Sequence, residues 1–258
     1  MAIGLKKNRD GKVLYLYGIT KPPISPVPQV AGVDGAAAIE PIECGGLFGW
    51  VSRVPRTDFA DHLSSNMENL DWLAAVSIRH QRAVSAIAEA TEILPARFGT
   101  VFHDESSLQA DLQGRKRTLE ADFKRIKGCD EWGIKVFMVR PQIERPAIVP
   151  KSGKDYLRSR AALLKRPSVS TLAPDIALFS EAVQRIAVET AGGGTISSGQ
   201  RDLQWQTSIL LRRSEKKKLD VLLKKFTKNW KETRRIECTG PWPPYSFVSR
   251  SSTPAESR

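Results

Sequence analysis

The sequence predicts an α+β protein with two domains, an N-terminal α+β domain and a C-terminal ferredoxin-like domain of element order βαββαβ. The length of 258 residues suits two domains of roughly 100–150 residues each. The second half reads as strand, helix, two strands, helix and strand. The net charge of +12 also arises there, because residues 1–130 hold 16 basic and 16 acidic side chains whereas residues 131–258 hold 24 and 12. This asymmetry favours two domains with different partners.

Four segments are predicted along the chain. Residues 1–12 are expected to be a flexible N-terminus, followed by the N-terminal α+β domain at 13–130 and the ferredoxin-like domain at 131–240. Residues 241–258 are expected to form a proline- and aromatic-rich strap that ends in a disordered tail. Prolines restrict the backbone of the strap, and the residues after it are polar.

The first domain begins with an almost wholly apolar run at residues 13–19, as expected for a strand covered on both faces. Two β-prone runs at 38–43 and 47–54, separated by Cys44-Gly45-Gly46, predict a hairpin. Apolar positions three and four residues apart predict two helices, and a run punctuated by proline and glycine separates them. These later elements are a helix at 69–92, a β-prone run at 93–102 and a helix at 104–127 that stops at Gly128.

The second domain contains the six elements of the βαββαβ order, with its first helical part interrupted near Pro167. They are a strand at 132–139, helical segments at 153–165 and 174–190, a short strand at 195–198, a strand at 205–213, a helix at 215–230 and a strand at 234–239. The short strand follows the break Gly192-Gly193-Gly194. Its position therefore depends on few residues.

The helix at 215–230 has the clearest periodicity in the chain, with an apolar face that leaves the rest to lysines. Five of these lysines form a candidate partner-binding surface, namely Lys217, Lys218, Lys224, Lys225 and Lys228. Residues 205–235 hold 11 basic and 3 acidic side chains. Either these lysines bind an acidic partner or nucleic acid, or they form a solvated face. Lysine outnumbers arginine by 7 to 4 in this segment, which disfavours base-specific nucleic-acid recognition.

The run at residues 240–248 combines three prolines with three aromatic residues. Its residues Trp242, Pro243, Pro244 and Tyr245 are a second candidate surface for a partner. The alternative is a rigid strap that packs over the protein itself. The same two interpretations apply at residues 94–100, where Arg97 and Phe98 are expected to form a structural joint between domains, with Arg97 paired to a buried carboxylate.

The sequence offers no constellation that predicts catalysis, so we expect no enzyme, cofactor or metal. No G-x-S-x-G motif is present, and Lys151-Ser152-Gly153-Lys154 lacks the remaining residues of a phosphate-binding loop. The histidines His62, His80 and His103 are expected at the surface or the core edge. The three cysteines are odd in number and no two have the C-x-x-C spacing, which favours a reducing cytoplasm. The sequence has no 18-residue apolar run, so we expect no membrane-spanning segment.

Five runs occur in an order that is familiar from one protein family. They are residues 15–19 (YLYGI), 94–102 (LPARFGTVF), 127–136 with KG and EWGIKV, 152–157 (SGKDYL) and 240–247 (GPWPPYSF). Together they resemble the gas vesicle protein GvpL/GvpF family over about residues 13 to 248. One run alone is a weak signal, whereas five in this order make chance agreement improbable.

The resemblance implies a non-enzymatic accessory protein for the assembly of gas vesicles, the protein shells that give some microbes buoyancy. The implied partners are the hydrophobic shell subunit and other vesicle accessory proteins, with the protein acting as a chaperone, a nucleation factor or a minor structural component. The implied location is cytoplasmic and associated with the gas vesicle. A nucleic-acid-binding module that uses the basic C-terminal half remains the alternative.

Overall fold

The structure, a computed structural model, describes residues 11–21, 23–139, 172–192 and 202–249. Several predicted features lie outside these ranges, namely the flexible N-terminus up to residue 10, the helix at 153–165, the strand at 195–198 and the tail from residue 250. Within the described ranges the fold is mixed α+β with two sheets, which confirms the predicted α+β class.

The chain divides into two compact units. Among the described residues, the first contains those before Gly133, Leu210–Arg213 and the residues from Thr239 onward. The second contains those in Gly133–Ile209 and Ser214–Cys238. The domain boundaries expected from the sequence, at 130/131 and 240/241, stay a prediction.

The first sheet is antiparallel and is built around its first strand. Its strands are β1 (Lys12–Thr20), β2 (Glu40–Glu43), β3 (Phe48–Pro55), β4 (Leu94–Pro95) and β5 (Val101–Phe102). They run in the order β2-β3-β1-β4, and β5 also pairs with β1. Every residue of β1 after Lys12 is buried, which fits its apolar sequence.

The helices of this region are α1 (Leu63–Glu68), α2 (Leu70–Ala90), α3 (Glu105–Gly114) and α4 (Lys116–Ile126), with a π-helical turn at Thr57–Asp61 before them. Sequence reasoning missed α1 and the turn, and its single helix at 104–127 is wrong, because the chain interrupts the helix at Arg115. The side chain of Asn69 caps α2 by accepting from the N–H groups of Asp71 and Trp72. Gly128, with φ +67°, follows α4 in the left-handed conformation that commonly ends a helix.

The core of this region lies between β1, β3 and α2. Its largest members are the aromatic residues Tyr15, Tyr17 and Trp50, each fully buried. Val76, Ala83, Val84 and Ile87 supply the buried face of α2. A histidine on α2, His80, is buried with them. The expectation that His80 lies at the surface or core edge is therefore wrong.

The second sheet has four strands in the order β7-β8-β6-β9. The strands are β6 (Cys129–Met138), β7 (Glu189–Gly192), β8 (Leu203–Arg212) and β9 (Arg234–Trp242), and the described helices are α5 (Pro174–Ile186) and α6 (Lys216–Trp230). Phe179, Trp205, Phe226 and Trp230 pack ring against ring within the second unit, with centroids 4.9–5.4 Å apart.

Two predicted boundaries in this region are wrong. The helix predicted to reach residue 190 ends at Ile186, and residues 189–192 form β7. Val188 and Thr190 are β-branched, which favours the extended backbone. The last strand continues beyond residue 239 to Trp242, so the first two residues of the predicted strap belong to β9.

Candidate interaction surfaces

The proline–aromatic segment, Gly240–Ser249, is held against the first unit for most of its length. Pro244 is buried and Phe247 is 2% exposed, whereas Trp242 is 43% exposed. Tyr245–Phe247 forms one turn of 3-10 helix. The segment thus starts at the surface and turns into the protein after Pro243.

A buried carboxylate holds the middle of this segment. Glu131 on β6 is 7% exposed, and its two oxygens accept from the two polar groups of Ser246. The backbone N–H donates to Oε2 at 2.8 Å, and the hydroxyl donates to Oε1 at 2.6 Å. Hydrogen bonds to a charged acceptor are stronger than neutral ones.

A second buried carboxylate holds Ser249, three residues after Ser246, in the same way. Asp122 on α4 is 2% exposed and accepts from the N–H and the hydroxyl of Ser249 at 2.8 and 2.9 Å. Arg125 pairs with Asp122 at 2.6 Å and also donates to the carbonyl of Phe247. The buried charge of Asp122 is therefore compensated, which is the condition for a stable buried carboxylate.

A chain of hydrogen bonds ties Tyr245 to the core. The N–H of Gly99 donates to the Tyr15 hydroxyl at 3.1 Å, and that hydroxyl lies 3.0 Å from Nδ1 of His80. On the other side of the ring, Nε2 lies 3.4 Å from the Tyr245 hydroxyl, which donates to Gln81 at 3.3 Å. All groups are satisfied when Tyr15 donates to Nδ1 and a neutral His80 carries its proton on Nε2.

Burial shifts the pKa of each of these groups in the direction that disfavours its charged form. It lowers the pKa of His80 from 6.5 to about 4, because the imidazolium ion would lose its hydration. It raises the pKa of Tyr15 and of Tyr245 for the same reason. All three side chains are therefore neutral at pH 7, as the hydrogen-bond chain requires.

The sequence-predicted surface at this segment is divided by the structure. Trp242 is exposed, Pro243 and Tyr245 are half-buried, and Pro244 is buried. The residues that hold the segment, Glu131, Asp122 and His80, were not singled out from the sequence for this role. The only local signal was Glu131 beside the buried start of β6, and nothing in its spacing pointed to Ser246.

A groove opens beside the exposed start of the segment. It has a volume of about 270 Å³, and its walls are formed by the ends of α2 and α4, the start of β6, Arg213 and residues 241–244. Glu89 and Glu92 lie at the end of α2, and Asp130 pairs with Arg213 at 3.0 Å. Ile93 and Ile126 are buried in the apolar part of the lining.

The lysine face of α6 differs in character. Lys217, Lys218, Lys224, Lys225 and Lys228 are all exposed, as predicted for either a solvated face or a docking surface. Lys218 pairs with Glu215 at 2.6 Å. At the spacing i, i+4, i+7 and i+11, Val221 shares one stripe with Lys217, Lys224 and Lys228, and Val221 is 68% exposed. This stripe places an apolar side chain among positive charges.

The pair Arg97 and Phe98 does not share one environment. Arg97 is exposed, and the expected pairing with a buried carboxylate is not found among the described residues. Phe98 lies edge-on to Tyr15 and His80, with centroids 6.4 and 5.8 Å apart. A role for the pair as a structural joint between domains stays a prediction.

Within the described ranges, no three side chains of His, Cys, Asp or Glu come together as a metal site would require. His62 and His103 are exposed. The helices described in those same ranges are all too short or too polar to cross a bilayer.

These features define an α+β protein with two sheets whose candidate sites are interaction surfaces. A family model described as gas vesicle synthesis protein GvpL/GvpF matches residues 13–249. The chain therefore belongs to the GvpL/GvpF family, and the resemblance seen in the sequence is confirmed. This membership gives the protein a role in gas vesicle formation and associates it with the gas vesicle.

Two named relatives match over almost their entire length. Gas vesicle protein L of Streptomyces sp. (strain CB03234) is 28% identical over 251 residues, which cover 92% of this chain and 93% of the relative. Gas vesicle protein F2 of Halobacterium salinarum is 25% identical over 238 residues, with 91% of each chain covered.

Two solved structures of gas vesicle proteins have a similar fold. GvpF from Anabaena sp. PCC7120 superposes with a TM-score of 0.67 at 18% identity, covering 93% of this chain and 97% of the other. GvpF from Microcystis aeruginosa gives a TM-score of 0.66 at 19% identity, covering 92% and 99%. At this identity the likeness establishes the fold.

Proposed function

We propose that this protein is a non-enzymatic accessory protein of gas vesicle assembly that binds the hydrophobic shell subunit, other vesicle accessory proteins, or both. The observation that carries the proposal is the family match, which extends over residues 13–249. A shell subunit that lines a gas space must expose an apolar face, and before assembly that face would aggregate. A protein that covers this face during assembly, as a chaperone, nucleation factor or minor shell component, removes that hazard.

The lysine stripe of α6 is the proposed electrostatic contact. Its charges attract an acidic partner surface, and Val221 offers an apolar contact at the centre of the stripe. Exposed lysines speed encounter and fix orientation more than they add to affinity. Trp242 and Pro243, in the first unit, are separate candidates for an apolar contact.

The finer description of the fold supports the same division of roles. We propose that the second unit is a ferredoxin-like domain, because its described elements and sheet order β7-β8-β6-β9 agree with the βαββαβ arrangement. In that arrangement α6 packs its apolar face on the sheet and leaves its lysines outward. The cytoplasmic location suggested by the cysteines belongs to the same proposal.

The experiment is a pull-down of the purified full chain with the shell subunit and each vesicle accessory protein, at about 50 mM and about 1 M salt. We expect retention at low salt and partial loss at high salt, because salt screens the lysine stripe. Capture of accessory proteins without the shell subunit would assign the role of an assembly hub. No capture of any vesicle protein at either salt concentration would contradict the proposal.

A matched pair of variants separates the lysine stripe from general charge. The triple change Lys217→Ala, Lys224→Ala and Lys228→Ala removes the stripe. The control triple change uses basic residues outside it, Lys12→Ala, Arg56→Ala and Arg82→Ala. We expect only the first variant to lose the salt-sensitive part of binding. Equal losses would show that net charge, and not the stripe, determines the attraction.

A nucleic-acid-binding module is the second candidate, and the exposed lysines of α6 are the observation that favours it. Non-specific binding to phosphates is strongest at low salt. The full chain at about 50 mM salt should therefore shift labelled duplex or single-stranded DNA if this candidate is correct. An unchanged mobility would dismiss it.

A further inference from the structure

We propose that the groove beside Trp242 binds a lysine or arginine side chain presented by an extended apolar segment of a partner protein. The inference rests on the proposed function for the existence of a partner, and it adds the chemistry by which one surface of the first unit would recognise that partner. It assigns to this groove a preference for positive charge, opposite to that of the lysine stripe on α6.

The size of the groove favours a side chain over a cofactor. Its volume of about 270 Å³ is slightly below the range of about 300–1,000 Å³ that is usual for small-molecule sites. One long side chain with part of its neighbouring residues fits such a space. The buried Ile93 and Ile126 can contact the methylene groups of that side chain.

The charges of the lining favour a cation. Three carboxylates and one guanidinium line the groove, from Glu89, Glu92, Asp130 and Arg213. Arg213 pairs with Asp130, so the charges of Glu89 and Glu92 remain uncompensated within the lining. Glu92 accepts from the N–H of Gly128 through Oε1 at 2.8 Å, which fixes its position and leaves Oε2 for a ligand.

The backbone adds to this preference. The last turn of α2 and the last turn of α4 both end in the lining, at residues 88–91 and at Ile126. The C-terminal end of a helix carries a partial negative charge that stabilises cations. Two helix ends and two carboxylates therefore act on the same space with the same sign.

Trp242 supplies the remaining wall. It is 43% exposed, although β9 and the adjacent prolines restrict its backbone. An exposed indole attracts lysine and arginine through its ring face. Tryptophan is also among the residues that are enriched in binding hot spots.

The test uses the isotope-labelled full chain and two synthetic hexapeptides of alanine and leucine. One peptide has a central arginine, and the other has citrulline, which has nearly the same shape without the charge. Binding is followed through the indole N–H signal of Trp242 in nuclear magnetic resonance spectra, assigned with the variant Trp242→Phe. We expect the arginine peptide to bind about tenfold more tightly than the citrulline peptide.

Variants locate the site and control for misfolding. Trp242→Ala and Glu92→Gln should each weaken arginine-peptide binding by about threefold to tenfold. Binding to Trp242→Ala, which lacks the indole, is followed through the backbone N–H signals of the groove residues. Glu68→Gln, which neutralises an exposed carboxylate on α1 outside the groove, should leave it unchanged. Thermal unfolding of each variant shows whether the fold is retained. Glu92→Gln keeps an acceptor for Gly128, so it remains informative if Trp242→Ala is unstable.

Three results would overturn the proposal. The first is equal binding of the two peptides, and the second is an unchanged Trp242 signal. The third is self-association of the chain that Glu92→Gln abolishes, because the groove would then be occupied by a second copy of the chain. The pull-down with the shell subunit and the accessory proteins is independent of this titration. If no vesicle protein is captured while the groove still prefers arginine, the proposed function fails and the groove's chemistry stands. If vesicle proteins are captured but the groove does not prefer the arginine peptide, only the proposal for the groove fails.

Discussion

The proline–aromatic segment and the lysine face of α6 were equivalent candidates in the sequence, and the structure makes them opposites. Ser246 and Ser249 are each held by a buried carboxylate through two hydrogen bonds. The lysines of α6 are exposed, and only Lys218 among the five candidates has an ion-pair partner in the described part of the chain. The first region is thus mainly part of the fold, whereas the second is available for a partner.

The type of a residue does not by itself determine whether the residue stabilises the fold or contacts a partner. Prolines and aromatic residues favour contact surfaces, yet Pro244 and Phe247 are core residues here. Ser246 bonds to the buried Glu131 on β6, and Tyr245 lies within hydrogen-bond distance of the buried His80 on α2. These hydrogen bonds stabilise the inward course of the segment.

The largest expected effect follows from the change Glu131→Ala. It leaves the N–H and the hydroxyl of Ser246 without their acceptor, and each hydrogen bond to a charged group contributes about 1.5–3 kcal/mol. We expect the free energy of unfolding in urea to fall by about 3 kcal/mol. The exposed control Glu68→Ala should change it by less than about 0.5 kcal/mol. Similar losses in both variants would refute the structural role of the segment.

The next effect is a loss of stability in acid that depends on His80. Because burial lowers its pKa from 6.5 to about 4, the unfolded chain binds the proton more readily than the folded protein. The contribution of His80 is complete above pH 6.5 and is lost as the pH falls towards 4. The integrated loss is at most about 3 kcal/mol.

The measurement is urea unfolding at several pH values between these limits. Carboxylates also titrate there, so the informative quantity is the difference between the unchanged protein and His80→Gln. We expect the pH dependence of the free energy of unfolding to be shallower in His80→Gln than in the unchanged protein. Parallel curves for the protein and His80→Gln would show that the ring is not buried in neutral form.

A third prediction concerns Gly240, where the segment begins. Its φ of +138° is rare for other residues, and an added Cβ would lie 2.8 Å from the carbonyl oxygen of Glu131 and 2.9 Å from the ring of Trp132. We expect Gly240→Ala to lower the free energy of unfolding by about 2 kcal/mol. Gly114→Ala is the matched control, because its Cβ would meet no atom within 4 Å. Equal stability of the two variants would contradict this close approach.

The smallest expected effect on stability is at α6. Replacing Lys217, Lys224 and Lys228 by Ala should change the free energy of unfolding by less than about 0.5 kcal/mol per site, since the side chains are exposed. A larger loss in urea unfolding would place these lysines in the fold and would remove the contrast between the two regions.

Local patterns determined a large part of this fold. The burial of β1 follows from its apolar sequence, and the apolar stripe of α6 follows from its periodicity of three and four. The exposure of the five lysines follows from the same stripe. Family membership also followed from the sequence, because motifs such as those at 94–102 and 240–247 retain their order along the chain. These features depend on neighbouring residues, which a sequence displays directly.

Other elements were beyond such reasoning. The interruption at Arg115 lies within a helical pattern that continues across it, and β7 occupies residues where helical and extended patterns overlap. In both cases the sequence pattern was compatible with the wrong element, and packing decided between them.

Only the tertiary structure decided which residues meet. Ser246 lies 115 residues from Glu131, Ser249 lies 127 from Asp122, and Tyr245 lies 165 from His80. No periodicity or motif encodes such distances, because hydrogen bonds form between groups that the fold brings together. The sequence by itself determined the family, the helices α2 and α6, and the charge of α6. Tertiary packing decided that the proline–aromatic segment turns inward and that its exposed Trp242 forms one wall of a groove lined by acidic side chains.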